Sequence, residues 1–334
     1  MKKSQIIQIL FSLLYCLLLS QPISASEIDI SGFFDFIGSY QNSQEDNTNF
    51  GLGQAEVDLE SEFSERFSAA VAVAFNNETG NFELGAAELG ISLYDNEENF
   101  LSSAEVVVGQ FDVPFGIDYH VYPSIERKFV TAPIVVDLTH AGWNDFGVQL
   151  NLGFSEYANA VVYGVNGFES SFEVIDEAHA LQLGTEVGEE VNTTPANAFG
   201  TRLGISPVPN MEIGASVAMG FNQDGKDEMA LWGVDWQLSL YDLDFKGEFI
   251  KHSLNRSIEK EENKGYYLQS IYHLNNVFLM GRYGAFQPDG DEWSDRISFG
   301  AGYIIGEGVE LRFESTINTN TEDNMNILQI VAGF

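Results

Sequence analysis

From residue 27 to the C-terminus, apolar and polar positions alternate with a period of two, in segments of about ten residues broken by turn-forming residues. The alternation predicts strands at Glu27–Gly38, Gly53–Phe63, Phe67–Phe75, Phe82–Tyr94, Ala104–Phe111, Asn144–Leu152, Ala158–Asn166, Phe199–Ile205, Met211–Gly220, Met229–Leu240, Asp242–Ile250, Gly265–Leu274, Val277–Phe286, Arg296–Ile305, Val309–Ile317 and Met325–Phe334. Helical periodicity is almost absent. Short connectors, such as Ser64-Glu65-Arg66 and Asn275-Asn276, alternate with longer polar ones, such as Ser39 to Leu52, Gly167 to Ala198, Lys251 to Lys264 and Gln287 to Asp295. An even number of strands with alternating short and long connections is the pattern of bacterial outer-membrane barrels, and neither a β-sandwich nor a propeller requires it. Ten residues at about 3.3 Å rise and 45° tilt span about 23 Å, close to the roughly 25 Å apolar band of such barrels.

The two faces of each strand differ sharply. In Val309–Ile317, Val309, Leu311, Phe313 and Ile317 share one side, and Glu310, Arg312, Glu314 and Thr316 the other. In Asp242–Ile250 the apolar side is Leu243, Phe245 and Phe249, and the polar side Asp242, Asp244, Lys246 and Glu248. Periodicity alone does not say which face is inside. A membrane barrel turns the apolar set outward to lipid and the polar set inward to water.

The stretch GQFDVPFGIDYH, residues 109–120, interrupts this rhythm. Pro114 removes a ladder donor and Gly116 relaxes the backbone, so strand pairing is expected to end there. About thirty residues pass before alternation resumes near Asn144, whereas structureless loops above about 12–15 residues are uncommon unless functional or disordered. Its many apolar residues, Phe115, Phe129, Ile134 to Val136, Leu138 and Trp143 among them, argue against disorder. Counted from the first strand, this is the third external loop, and residues 112–143 are expected to fold inward, bury an apolar side on the wall and show charges to the pore.

The N-terminus supports the membrane reading. Met1-Lys2-Lys3, the apolar run Ile6 to Leu19 and the small-residue region Gln21 to Ser26 form a secretory signal pattern over residues 1–26, with the barrel at 27–334. The apolar run is shorter than a spanning helix requires. The only cysteine, Cys16, lies in it, so the mature chain has no disulfide. The C-terminal NILQIVAGF places Phe334 on one face with Leu328 and Ile330 and resembles the recognition signal read by the outer-membrane barrel assembly machinery.

Charge then narrows the function. The sequence has 15 basic and 50 acidic residues, a formal charge of −35, which makes nucleic acid an unsuitable partner. Gln54, Glu56, Asp58, Glu60 and Glu62 share one face of their strand, an acidic stripe along the inner wall. Asp242, Asp244, Glu310 and Glu314 project the same way, against Arg202, Lys246, Arg282 and Arg312. A water-filled channel with low-dielectric walls focuses such a field, so cations are expected to be enriched. Asp112, Asp118, Glu126 and Asp137 of the loop stand beside Arg127 and Lys128. Loop acids facing Arg202, Arg282 and Arg312 would create a transverse field; Glu126 and Arg127 would otherwise tie the loop to the wall.

GQFDVPFGID, SIERKF (124–129) and WNDFGVQL (143–150) together resemble the phosphate-selective O/P porin family, in which similar motifs occur in similar order. The local match covers about forty residues. The resemblance implies a sixteen-stranded all-β transmembrane barrel, a loop that narrows the channel, and homotrimers in outer-membrane lipid and lipopolysaccharide. The pore of the phosphate-specific members is lined by an arginine ladder and lysines, which the basic residues here do not match.

Other chemistry is thinly represented. His120 and His140, near Asp118 and Asp137, match no compact metal site, and no cofactor is implied. No motif gathers a catalytic cluster at the rim. The expectation is a passive channel for ions and small hydrophilic solutes, cation-preferring and not an enzyme. The alternatives are a solute-specific channel, for phosphate or another anion, and a non-conducting barrel acting as adhesin or enzyme.

Overall fold

The alternating segments fold as strands because the period of two presents one continuous apolar face, and pairing with both neighbours satisfies every backbone group without exposing a sheet edge. The computed structural model describes residues 27–42, 48–76, 80–119, 123–167, 172–175, 178–181, 198–221, 228–255, 260–320 and 324–334. The expected signal segment, His120 and parts of the long connectors lie outside the described residues.

The strands are β1 (Asp29–Gln41), β2 (Thr48–Ser64), β3 (Phe67–Asn76), β4 (Asn81–Asp95), β5 (Ser103–Asp112), β6 (Asn144–Phe154), β7 (Ala158–Val165), β8 (Phe172–Ile175), β9 (Ala178–Leu181), β10 (Ala198–Val208), β11 (Met211–Phe221), β12 (Glu228–Leu240), β13 (Leu243–Asn255), β14 (Lys260–Leu274), β15 (Val277–Gln287), β16 (Ser294–Gly306), β17 (Val309–Asn318) and β18 (Met325–Gly333). β8 and β9 form a small hairpin, and the other sixteen close one antiparallel barrel in which neighbours in sequence pair and β18 returns to β1. No helix among the described residues is long and apolar enough to cross a membrane; a barrel crosses with strands.

Closure is completed by the last residue. Phe334 exchanges backbone hydrogen bonds with Gly32, donating at 2.9 Å and accepting at 3.1 Å, and its ring stays exposed on the outer surface. At the opposite, long-connector end the hairpins run further than alternation suggested. β2 begins at Thr48, and β13 and β14 remain paired out to Asn255 and Lys260, inside stretches expected to be connectors. Beyond the apolar band the outward positions of β13 and β14 turn polar while Ile250 and Leu254 stay buried inside, so pairing continues after the expected alternation has ended.

The phase of the strands sorts the two faces. On β17, Glu310, Arg312, Glu314 and Thr316 are buried inside while Phe313 and Ile317 are exposed on the outer surface. Two expectations need correction. Asp242 is not on the wall: it sits with Tyr241 in the tight turn before β13, where φ of 54° at Tyr241 reverses the chain. Nor is the inner wall uniformly polar. Met229, Leu231, Ile250, Leu254 and Phe286 point inward and are fully buried, because the loop after β5 covers them.

Candidate functional site: the lumen and its loop

The loop leaves the wall where Pro114 ends pairing, and its base is closed by a hydrogen bond from the Val113 amide to the Trp143 carbonyl at 2.8 Å. Gly116 takes φ of +70°, and a Cβ there would lie 2.1 Å from Glu248 Oε1, so glycine lets the chain turn against the wall. Further on, Ile134–Asp137 form one helical turn. The loop's apolar side, including Phe115, Val135, Val136 and Trp143, joins Met229, Leu231, Ile250, Leu254, Tyr267 and Phe286 of the wall in one hydrophobic cluster. At the level of these residues the lumen along β12–β15 is therefore filled.

The polar side of the loop is fastened to inward-facing wall residues. The Gly116 amide donates to Ser216 Oγ at 3.0 Å, and the Ser124 amide to Gln54 Oε1 at 2.7 Å. Asp118 pairs with Lys246 and accepts from the Tyr267 hydroxyl at 2.5 Å. Lys128 pairs with Glu310 at 2.5 Å, and Arg312 donates to the Ser124 carbonyl at 2.6 Å while holding Glu310. Glu314 accepts the amides of Val130 and Thr131 at 2.6 and 3.0 Å and the Thr131 hydroxyl at 2.6 Å. Arg282 donates to the Thr131 carbonyl at 2.8 Å, lies 3.3 Å from Glu314 and stacks over Phe129. Asp137 lies 3.7 Å from Arg296.

These contacts replace the transverse field. The loop acids Asp118 and Asp137 do not face Arg202, Arg282 and Arg312 across open water. They pair directly with Lys246 and Arg296, while Arg282 and Arg312 hold loop main chain. Arg202 is occupied elsewhere, by Glu212 at 2.7 Å and Asp235 at 2.8 Å. Glu126 is exposed, and it is the next-but-one residue, Lys128, that makes the ion pair with the wall. Wall partners that alternation gave no reason to single out, Ser216 and Tyr267, are as important as Gln54 and Arg296, which it placed on the inner face. Their signal is their inward phase opposite a loop rich in donors and acceptors.

The opposite half of the lumen is built differently. Inward positions of β3 are small: Ala74, Ala72 and Ala70 stand directly across from Glu56, Asp58 and Glu60 of β2, and Ala70 across from Glu88 of β4. Short side chains leave space there, and the acids project into it. Glu56 has Asp58 and Asp112 as its charged neighbours, and Glu88 has Asp112, Glu105 and Glu60. Among the described residues none of Glu56, Asp58, Glu60, Glu62 and Glu88 has an ion-pair partner. Lys246, Arg282, Arg296 and Arg312 are paired where the loop meets the wall and Arg202 is paired on the wall, whereas Glu56, Asp58, Glu60, Glu62 and Glu88 have no basic partner among the described residues.

Under the loop lies a chamber of about 370 Å³, lined by Asp112, Asp118, Glu126, Arg127 and Lys128 of the loop side and by Gln237, Asp244, Gln269, His273 and Arg282 of the wall. Burial pushes the Tyr119 hydroxyl of this lining up to about 12, with nearby Arg202 opposing the shift. Burial also holds the His140 imidazole down to about 4, so it stays neutral at ordinary pH. At the turn end, Ser239 Oγ donates to Asp244 Oδ1 at 2.6 Å and His273 Nε2 lies 2.7 Å from Asp244 Oδ2. The carboxylate sits between hydroxyl and imidazole, so this trio lacks the nucleophile-to-base contact of a hydrolase triad. Among the described residues no group of three or more His, Cys, Asp or Glu side chains could hold a metal ion.

A closed sixteen-stranded antiparallel barrel of this kind is the architecture of outer-membrane porins. The chain superposes on an anion-selective porin from Comamonas acidovorans with a TM-score of 0.67 at 11% identity, over 92% of this chain and 100% of that one. It superposes on the outer membrane channel DcaP of Acinetobacter baumannii with a TM-score of 0.65 at 12% identity, over 95% and 100%. A loop-deletion form of the outer membrane protein OmpT of Vibrio cholerae gives 0.64 at 10% identity, over 93% and 100%. More particularly, residues 27–304 match the family described as S-layer protein SlpA, beta-barrel domain, and the chain belongs to that family. The match is to this family, while the resemblance to phosphate-selective O/P porins stays confined to the loop and its flanks. No curated protein matches the chain.

Proposed function

We propose that the protein is an outer-membrane channel through which ions and small hydrophilic solutes diffuse passively, with a preference for cations. The observation that carries this reading is the asymmetry of pairing: Arg202, Lys246, Arg282, Arg296 and Arg312 each have an acidic partner, whereas Glu56, Asp58, Glu60 and Glu88 have no basic one among the described residues. Uncompensated acids on the open side of a low-dielectric channel raise the local cation concentration. Homotrimers, export behind a cleaved signal and insertion through Phe334 by the assembly machinery belong to the same reading. One of the structures with the same fold is described as a trimer form.

The test is the single-channel current of the refolded protein in a planar bilayer under a salt gradient. A steady conductance with a cation-selective reversal potential is expected. Anion selectivity would overturn the acidic-wall argument in favour of the phosphate-type reading suggested by the loop motif. A folded barrel that passes no current would overturn the channel itself and favour an adhesin or enzyme.

A further inference from the structure

Most charged side chains that line the chamber under the loop already have a partner. Asp118 is paired with Lys246, Lys128 with Glu310 at 2.5 Å, and Asp244 holds the Ser239 hydroxyl and the His273 ring. Arg282 is taken up by the Thr131 carbonyl at 2.8 Å and by Glu314. Asp112 accepts from the Asn144 amide at 2.8 Å, and Arg127 is engaged as well. Among the described lining residues, the exposed Glu126 is the one charged side chain without a partner.

Two neutral groups of the lining are left open. The side-chain amides of Gln237 and Gln269 have no hydrogen-bond partner among the described residues, although each can both donate and accept. The register puts them in one row across the wall: Gln237 stands directly opposite Lys246, Lys246 opposite Gln269, and Gln269 opposite Arg282. The two amides therefore flank the Lys246 ammonium, one strand away on each side, with their backbones roughly 9.5 Å apart. An ammonium can donate more than once, and Asp118 takes one of those bonds.

The chemistry of that row selects the ligand. An anion bound here would compete with Asp118 and Glu310 for the lysines, and a cation would compete with Lys246 and His273 for the carboxylates. Either breaks one partly buried pair to form another. A hydroxyl breaks none, because it accepts from an amide or ammonium N–H and donates to an amide oxygen in the same contact. The chamber, about 370 Å³, is at the small end of ligand-binding cavities. A compact ring with hydroxyls on both sides, of mono- or disaccharide size, reaches both amides at once.

We propose that the chamber binds a neutral polyhydroxylated solute, a sugar or cyclic polyol, held by Gln237 and Gln269 with Lys246 between them; this names a solute class for the channel reading above, on which it rests. The two sides of the lumen then differ in what they select. The acids of β2–β5 enrich cations, and the amide row retains uncharged hydroxylated solutes.

Saturation-transfer NMR of the refolded full barrel in detergent tests the site with three probes of one ring skeleton, neutral glucose, anionic glucuronate and cationic glucosamine, and with maltose. Saturable binding of glucose or maltose is expected, with glucuronate and glucosamine weaker by about fivefold or more. Gln237 is exposed to the lumen and Gln269 half-buried, so Gln237→Ala/Gln269→Ala should fold, and it is expected to bind the neutral sugars about tenfold or more weakly. Gln287→Ala removes an amide at the long-connector end, where it donates to the Asp291 carbonyl, and should bind like the wild type. Undiminished binding by the double variant, or a charged probe bound as well as glucose, would overturn the proposal. Bilayer conductance of the same samples separates the two readings. A wild type that conducts but binds no sugar overturns this site and leaves the channel standing; binding without current keeps the site and overturns the channel; neither overturns both.

Discussion

Arg312 donates from Nη1 to the carbonyl oxygen of Ser124 at 2.6 Å, joining β17 to a loop residue 188 positions earlier in the chain. Its Nε and Nη2 meanwhile hold Glu310 Oε2 at 2.9 and 2.7 Å, and Glu310 in turn holds Lys128. A fully buried guanidinium is thus the centre of the clamp that keeps the loop inside the barrel. Arg312→Ala leaves a buried carbonyl and a half-paired carboxylate, a loss of about 3–5 kcal/mol for removing one partner of a buried pair. Arg312→Lys should recover only part of this, since an ammonium cannot span both partners with a planar fork. Urea unfolding followed by tryptophan fluorescence reads the stability, and limited proteolysis within residues 113–143 reads the release of the loop. An unchanged midpoint and an uncut loop would show that the clamp is dispensable.

Selectivity is expected to reside in the wall rather than the loop. Asp118 and Asp137 are matched to Lys246 and Arg296, while Glu56, Asp58 and Glu60 are matched to nothing basic among the described residues. The triple variant Glu56→Gln/Asp58→Asn/Glu60→Gln should therefore move the reversal potential under a salt gradient markedly towards zero. Asp118→Asn/Asp137→Asn should mainly loosen the loop. The reverse ranking would place the selective field on the loop.

Much of the barrel was legible because its signal is local. Alternation in Val309–Ile317 alone separates Phe313 from Glu314, and the structure puts them on the outer and inner faces as that alternation implies. The strand ends were less legible, because Lys251 and Lys264 pair above the membrane band, where the outward face is polar and the apolar residues Ile250 and Leu254 lie inside, the reverse of the expected pattern. The use of each lumenal charge was not legible at all. Whether Arg282 faces water or lies under Phe129 depends on a contact between residues 153 positions apart, and no spacing rule reaches that far. One trace was present in the sequence: apolar residues at inward positions of β12 and β13, Leu231, Ile250 and Leu254, need something to cover them in a water-filled barrel.

Gly116 offers a test of loop docking that leaves every charge in place. Its φ of +70° favours glycine, and an added Cβ would lie 2.1 Å from Glu248 Oε1 and 3.0 Å from His140 Nε2, both buried. Gly116→Ala is expected to cost about 1–3 kcal/mol from the backbone alone. The loop would sit less deeply, which should appear as larger and noisier single-channel conductance with little change in reversal potential. Quiet, wild-type-sized currents from Gly116→Ala would mean that this close approach does not hold the loop.

Acid should undock the loop in two stages. Burial holds His140 down to about 4 against an ordinary value of 6.5, with the Asp118 carboxylate partly opposing. Between those values the unfolded chain binds the proton and the docked loop does not, so stability rises with pH through the window and is lost as pH falls from 6.5 towards 4, by about 3 kcal/mol in full. Asp118 acts lower down. Burial alone would raise its carboxyl, but Lys246 and the Tyr267 hydroxyl bring it below the ordinary 3.8, so its contribution is present above 3.8 and disappears as pH falls further. Current noise from loop excursions, rather than mean conductance, reads this without interference from neutralisation of the wall acids. Noise in the wild type should grow as pH falls through the His140 window and grow again below 3.8. His140→Gln should flatten the first stage and keep the second; an unaltered acid profile in that variant would remove His140 as the titrating group and leave the early stage to another residue.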